Sequence, residues 1–184
     1  MAILNDLNSS FGGKNIIRMP DLLYCFKSIG FEDIQTYIQS GNVIFKTNDN
    51  NLTKLTIQIE NVLADRFRYD SKIVLLSQFQ LETVVREAPG DFGTFPDKYK
   101  YDVIFLRDGL VPDEILKSIK TKEGIDSANA GNLTLYFTRL ISNLTQSKLK
   151  YIMTLPEYQN MTIRNWKTTN ELLGMMNTNY SKNP

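Results

Sequence analysis

The residues of this chain best suited to chemistry are glycines, lysines and one tryptophan, gathered in short stretches. Ser9-Ser10-Phe11-Gly12-Gly13-Lys14 joins an apolar run to a helical pattern. Backbone N–H groups left open by glycine, with Lys14 beside them, can cradle a phosphate. The stretch matches neither G-x-x-x-x-G-K-S/T nor G-x-G-x-x-G, so a plain strand-to-helix turn stands as the alternative. A second cluster combines Ser147-Lys148-Leu149-Lys150 with Thr162-Ile163-Arg164-Asn165-Trp166-Lys167-Thr168. Arg164 and Lys148 offer a guanidinium and an ammonium to a phosphate or carboxylate, and Trp166 offers a face on which a base can stack. The alternative there is that Trp166 plugs a sheet–helix junction while Arg164 pairs with a surface carboxylate.

Aromatic and basic residues also fall on neighbouring strand patterns: Tyr99, Lys100, Tyr101, Phe105 and Arg107, with Tyr136, Phe137 and Arg139. On an open sheet such residues form a platform for single-stranded RNA. No RNP1-like pattern accompanies them, and the same alternation serves a buried face. Cys25, between Tyr24 and Phe26, reads as an inert core thiol.

Histidine is absent. That removes Ser-His-Asp and Cys-His catalysis, histidine-ligated zinc and histidine general bases together. The acidic residues are scattered without metal-ligand or paired-carboxylate spacing, so neither a metal nor a cofactor is expected. An enzyme built on this chain must use lysine, tyrosine or carboxylate chemistry, or a bound cofactor.

The elements that position these groups follow from periodicity. At 184 residues, 42% hydrophobic and 22% charged, the chain can bury a sizeable core. A net charge of +1 advertises no global attraction to nucleic acid, so any basic patch is local. Met1-Ala2-Ile3-Leu4 runs directly into Asn5-Asp6, and no apolar run reaches spanning length; the expected location is the cytoplasm, away from membranes. The central stretch is Thr36-Tyr37-Ile38-Gln39-Ser40-Gly41-Asn42-Val43-Ile44-Phe45, two alternating runs around Ser40-Gly41-Asn42, which predicts a tight hairpin. Before it come a first strand from Ala2 to about Leu7 and a helix from about Pro20 to Ile29. After it come a helix from about Leu52 to Arg68 and the buried run Ile73-Val74-Leu75-Leu76, completing a β-α-β-β-α-β order. Ser77-Gln78-Phe79-Gln80 opens a further helix.

Pro89 to Pro96 is the clearest irregular loop, and the pattern then restarts. Strands are expected at Tyr101–Leu106, Ile125–Ala128, Leu133–Thr138 and Met161–Arg164. Helices are expected at Pro112–Lys120, over Gln146–Met153, and from a capping box at Thr168 to Met176. The fold class is α+β, with two ferredoxin-like βαββαβ halves in tandem, each followed by an extra helix. The boundaries are 1–88 for the first half, 89–98 for the linker, 99–176 for the second half and 177–184 for a frayed tail. A single continuous mixed sheet is the alternative.

In order along the chain, Gly12-Gly13-Lys14-Asn15, Tyr37-Ile38-Gln39-Ser40-Gly41-Asn42-Val43, Ser147-Lys148-Leu149 and Thr162-Ile163-Arg164-Asn165-Trp166 resemble the bacterial family known as domain of unknown function 1697. The resemblance spans about residues 2–176 and implies duplicated ferredoxin-like halves, with no activity to carry over. Two departures stand out. Asn5-Asp6 replaces the usual Arg-Gly, in a loop two residues longer, and Lys167 replaces an asparagine.

The leading functional expectation is a binding module. In it Gly12, Gly13, Lys14, Ser40, Asn42, Lys148, Arg164 and Trp166 converge on a cleft between the halves and take an anionic ligand, either a nucleotide or a nucleic-acid phosphate. The alternatives are a histidine-free enzyme using Lys14 or Lys148 with a carboxylate, and a protein-interaction module using an open sheet edge. Oligomeric state is left open.

Overall fold

A computed structural model of the chain describes residues 2–4, 19–37, 41–68 and 72–180. The chain divides into two compact units, Met1–Gln78 with Leu172–Pro184, and Phe79–Glu171. Each contains a four-stranded sheet whose described pairings are all antiparallel. The protein is therefore α+β. No helix among the described residues is long and apolar enough to cross a membrane.

The first unit runs β1 (Ala2–Leu4), α1 (Met19–Ser28), β2 (Glu32–Tyr37), β3 (Asn42–Lys46), α2 (Leu52–Phe67) and β4 (Val74–Leu76), with sheet order β2-β3-β1-β4. Gly41 at φ +79° makes the turn that brings Tyr37 opposite Asn42, a backbone state glycine adopts without strain. Leu55, Ile59 and Leu63 recur at helical spacing along α2 and meet Leu22, Cys25 and Phe26 of α1 in one core. Asn51 caps α2 by accepting the Lys54 N–H at 3.0 Å. Phe26, Phe31 and Phe45 cluster in that core, with Phe31 stacked on Phe45 at 4.1 Å between ring centroids. The nearly buried Glu60 accepts the backbone N–H of Ile73 at 3.0 Å, fastening α2 to the approach of β4.

The second sheet joins β5 (Tyr99–Leu106), β6 (Asp126–Ala130), β7 (Thr134–Leu140) and β8 (Met161–Asn165) in the order β6-β7-β5-β8. The helices of this part of the chain are α3 (Gln78–Arg86), α4 (Pro112–Ser118) and α5 (Trp166–Tyr180). The units divide these helices differently from chain order: Phe79 onward in α3 belongs with the second unit, and Leu172 onward in α5 with the first.

Strand register gives the second sheet two distinct faces. Ile104, Leu106, Leu135, Phe137, Met161 and Ile163 share one face with Ala128 and Ala130, and pack against Ile115 and Ile152. The other face carries Tyr99, Tyr101, Val103, Phe105, Tyr136, Thr138, Ser127, Asn129 and Arg164.

Two helix expectations are corrected. The segment read as one helix over Gln146–Met153 forms 3-10 turns instead, at Ile141–Gln146, Leu149–Thr154 and Pro156–Asn160. Its inward residues Leu149, Ile152, Leu155 and Tyr158 recur every third position, the 3-10 repeat, whereas an α-helical stripe would drift away from the core. The final helix begins at Trp166 rather than after Thr168, because Asn165 Oδ1 accepts the Thr168 N–H at 2.7 Å and acts as the cap. That helix continues to Tyr180, through residues expected to fray.

Candidate functional site

A groove of about 520 Å³ opens on the second face of the second sheet. Its floor is the sheet itself. Ser127 and Asn129 of β6 and Thr138 of β7 present a hydroxyl, an amide and a second hydroxyl, with Tyr99 and Tyr101 of β5 beside them. The opposite wall is the Pro89–Lys98 stretch, contributing Pro89, Asp91, Phe92, Phe95 and Lys98.

Local interactions shape that wall. Phe92 is nearly buried and meets Tyr101, Tyr136 and Trp166 edge-on, at ring separations of 5.0, 5.2 and 5.1 Å. The Phe95 N–H donates to the Tyr101 hydroxyl oxygen at 3.1 Å, and the Tyr99 N–H to the Phe95 carbonyl at 2.9 Å, so the loop is tied to the strand it leads into. Gly93, at φ +90°, lies so close to the Trp166 indole that a Cβ there would fall 2.2 Å from Nε1. Only glycine allows this contact. The Phe95 ring is 57% exposed, and the Lys98 ammonium lies 5.1 Å from the Tyr99 ring centroid. The groove thus offers aromatic surface, neutral hydrogen-bonding groups, a cation and a carboxylate.

Two groups near the groove have displaced protonation, and both lie outside its lining. Burial pushes the Tyr136 phenol up to about 12, helped by Glu87, and its hydroxyl donates to the Val84 carbonyl at 2.7 Å. Asp102 lies on the opposite face of the sheet, where burial raises its carboxyl above the ordinary range despite Arg139 and Lys100. Arg139 Nε and Nη2 both donate to Asp102 Oδ2, at 2.8 and 2.6 Å. These are core groups.

The residues expected from sequence to form the site have separate places. Gly12, Gly13, Lys14 and Ser40 lie outside the described residues. Asn42 belongs to the first unit, is 1% exposed, and donates from Nδ2 to the Tyr37 carbonyl at 3.0 Å, closing the hairpin. Arg164 is buried on the groove face of β8, where Nη1 donates to Thr162 Oγ1 and to the Ile163 carbonyl, each at 2.8 Å. Lys148 is anchored at the other edge of that sheet, its backbone N–H donating to Asp126 Oδ2 at 2.8 Å. Asp126 points to the core face, so Lys148 and Arg164 do not converge. Trp166 is half-buried behind Phe92, as a prop for the groove wall.

Sequence reasoning missed the groove because it took 89–98 for a linker and the Tyr99/Tyr101 alternation for a buried face. Tyr101 and Tyr136 are indeed buried, but Tyr99 is only partly so. The usable signal was the loop itself: Phe92, Phe95, Pro89 and Pro96 are more apolar than a solvent-exposed linker needs, and long apolar loops tend to bind.

The family described as "Protein of unknown function (DUF1697)" matches residues 2–136. The conserved bacterial protein SP0830 from Streptococcus pneumoniae is structurally similar, with a TM-score of 0.81 and 25% identity over 95% of this chain and 96% of that one. No curated protein matches the sequence.

Proposed function

Starting from the premise that the chain belongs to the DUF1697 family, we propose that it is a binding module whose second unit takes a flat, anionic ligand of the nucleoside phosphate class. The groove over β5, β6 and β7 carries this reading. Its volume of about 520 Å³ suits a mononucleotide. Tyr99 and Phe95 supply stacking surface, Ser127, Asn129 and Thr138 supply hydrogen bonds to a base edge, and Lys98 answers a phosphate. Asp91 is placed to accept from ribose hydroxyls. This moves the ligand from a cleft between halves to one sheet face.

The matching strand orders, β2-β3-β1-β4 and β6-β7-β5-β8, support reading the two units as copies of one ferredoxin-like βαββαβ plan. In the second copy the last helix gives way to 3-10 turns. In ferredoxin-like plans the two crossover helices cover one sheet face; on the other, α3 meets Tyr136 through Val84, and the side lined by Tyr99, Ser127 and Asn129 is left to a ligand.

Trp166 tests the reading, since its ring meets Phe92 at the back of the groove. Titration with adenosine, guanosine, cytidine and uridine monophosphates should change its emission saturably for at least one of them. Tyr99→Ala should weaken that binding by about 1–3 kcal/mol, the worth of one stacked base, and Lys98→Gln should remove the preference for the monophosphate over the nucleoside. Emission unmoved by all four ligands would refute the proposal.

A further inference from the structure

Asp126 starts β6 at the lining of the groove, and the strand register places its side chain on the opposite face of the sheet from Ser127. There Oδ2 accepts the backbone N–H groups of both Lys122, at 3.1 Å, and Lys148, at 2.8 Å. One carboxylate oxygen therefore draws the loop after α4 to the 3-10 segment. The Lys122 ammonium donates to Gln146 Oε1. The ammonium groups of Lys120 and Lys148 lie 5.3 and 5.1 Å from the ring centroid of Tyr151, which is 37% exposed.

These lysines differ from the ion-paired lysines of the chain. Lys46, Lys54 and Lys117 each sit 2.7 Å from a carboxylate. Among the described residues Lys120, Lys122 and Lys148 have no carboxylate partner at ion-pair distance. Two ammonium groups that converge on one ring, with the Asp126 carboxylate engaged by backbone N–H groups rather than by an ammonium, favour a bound polyanion. The cluster also adjoins the groove, because Gly124, Ile125 and Asp126 form the rim between them.

The geometry points to a single-stranded oligonucleotide as the ligand, with one base in the groove and its neighbouring phosphates laid over the start of β6 onto Lys120, Lys122 and Lys148. This rests on the groove reading above and extends it from one nucleotide to a strand. Tyr151 adds an aromatic face at the far end. Bases and phosphates are then met by the two kinds of group each requires, aromatic faces and cations.

Anisotropy of a dye-labelled eight-nucleotide single strand, as RNA and as DNA, against the full-length chain tests this beside the Trp166 titration with monophosphates. At least one strand should bind more than tenfold tighter than the best monophosphate. With three phosphates engaged, log affinity should fall with log salt at a slope of about −2. The Lys120→Gln/Lys148→Gln double variant should flatten that slope by about 1.4 while leaving the monophosphate titration and the melting temperature unchanged. Lys117→Gln, which removes a cation paired with Glu114, should change neither.

A strand that binds no tighter than the monophosphate overturns the inference and leaves the groove reading intact. So does a slope indifferent to the double variant, or an acidic peptide of equal charge that binds as well as the strand. Lysine-dependent strand binding without any monophosphate response overturns the groove reading and this path with it, leaving only a backbone-binding patch.

Discussion

The two units place aromatic residues on their sheets to opposite ends. In the first, Phe26, Phe31 and Phe45 are 0%, 7% and 1% exposed and belong to one apolar core with residues of α1, α2 and β4. In the second, Phe92, Tyr101, Tyr136 and Trp166 form a cluster of similar size whose members mostly carry a polar atom. The Tyr136 hydroxyl donates to Val84, the Tyr101 hydroxyl accepts from Phe95, and the cluster ends at an open groove. Phenylalanine contributes area alone and closes a core. Tyrosine and tryptophan combine area with a directional partner, so they can hold a wall in place beside solvent. The comparison teaches that aromatic count is a poor guide to function, and that the polar handle is the useful sign.

The largest expected effect comes from breaking the closed cluster. Phe45→Ala removes a buried ring stacked on Phe31 and should cost about 3–5 kcal/mol of stability, read as a fall in denaturant midpoint. It should leave ligand-induced changes at Trp166 intact wherever the protein remains folded. A loss below about 1 kcal/mol would mean that the first core collapses around the cavity, unlike a close-packed interior.

A smaller effect is expected in the open cluster. Gly93→Ala forces a left-handed backbone on alanine, about 1–2 kcal/mol, and drives its Cβ into the indole of Trp166. Stability should fall modestly while Trp166 emission shifts to the red and monophosphate binding weakens. Unchanged emission would show that the loop rather than the indole gives way, and would detach Trp166 from the groove wall.

The smallest effects come from one carboxylate in each unit, and they have opposite signs. In the first, the Lys54 ammonium and the Asn51 N–H hold Asp49 below its ordinary range. A carboxyl lowered in the folded state stabilises above its unfolded pKa and loses that contribution as pH falls through the folded one. Asp49→Asn should therefore blunt acid destabilisation below about pH 4. In the second, burial holds Asp102 above its ordinary range. Its ionisation then weighs against the fold at neutral pH, and the weight lifts as pH falls through the raised pKa. Relative to Asp102→Asn, the parent protein should gain stability on mild acidification. Chemical denaturation from pH 7 down to pH 3 would read both, and equal behaviour of the two variants would contradict the assigned causes.

Much of the fold was legible because its signals are local. Gly41 with flanking alternation marks the hairpin, and Leu55, Ile59 and Leu63 mark α2. The 3-10 turns were misread because Leu149 and Ile152 satisfy helical spacing over one turn, and only Leu155 and Tyr158, beyond the expected helix, reveal a period of three. The onset of α5 was misplaced because Thr168 and Asn165 are both good caps, and tertiary position chose Asn165. Of the groups expected to bind, Asn42 and Arg164 turned out to satisfy neighbouring backbone. A polar residue at a strand end serves structure and ligand with the same chemistry, and sequence alone does not separate them. The groove was harder to read than its loop, because it needs β5, β6 and β7 side by side with the stretch that leads into β5.

Cys25 and Trp166 carry one further consequence. The chain has a single cysteine and a single tryptophan. Cys25 is 1% exposed in the core of the first unit, with its thiol raised by burial, while Trp166 lies in the second. A thiol reagent reaches Cys25 only when the first unit opens, and indole emission follows the second. Nature has thus supplied each unit with its own clock, and the interval between the two readings measures whether the units open together or in turn.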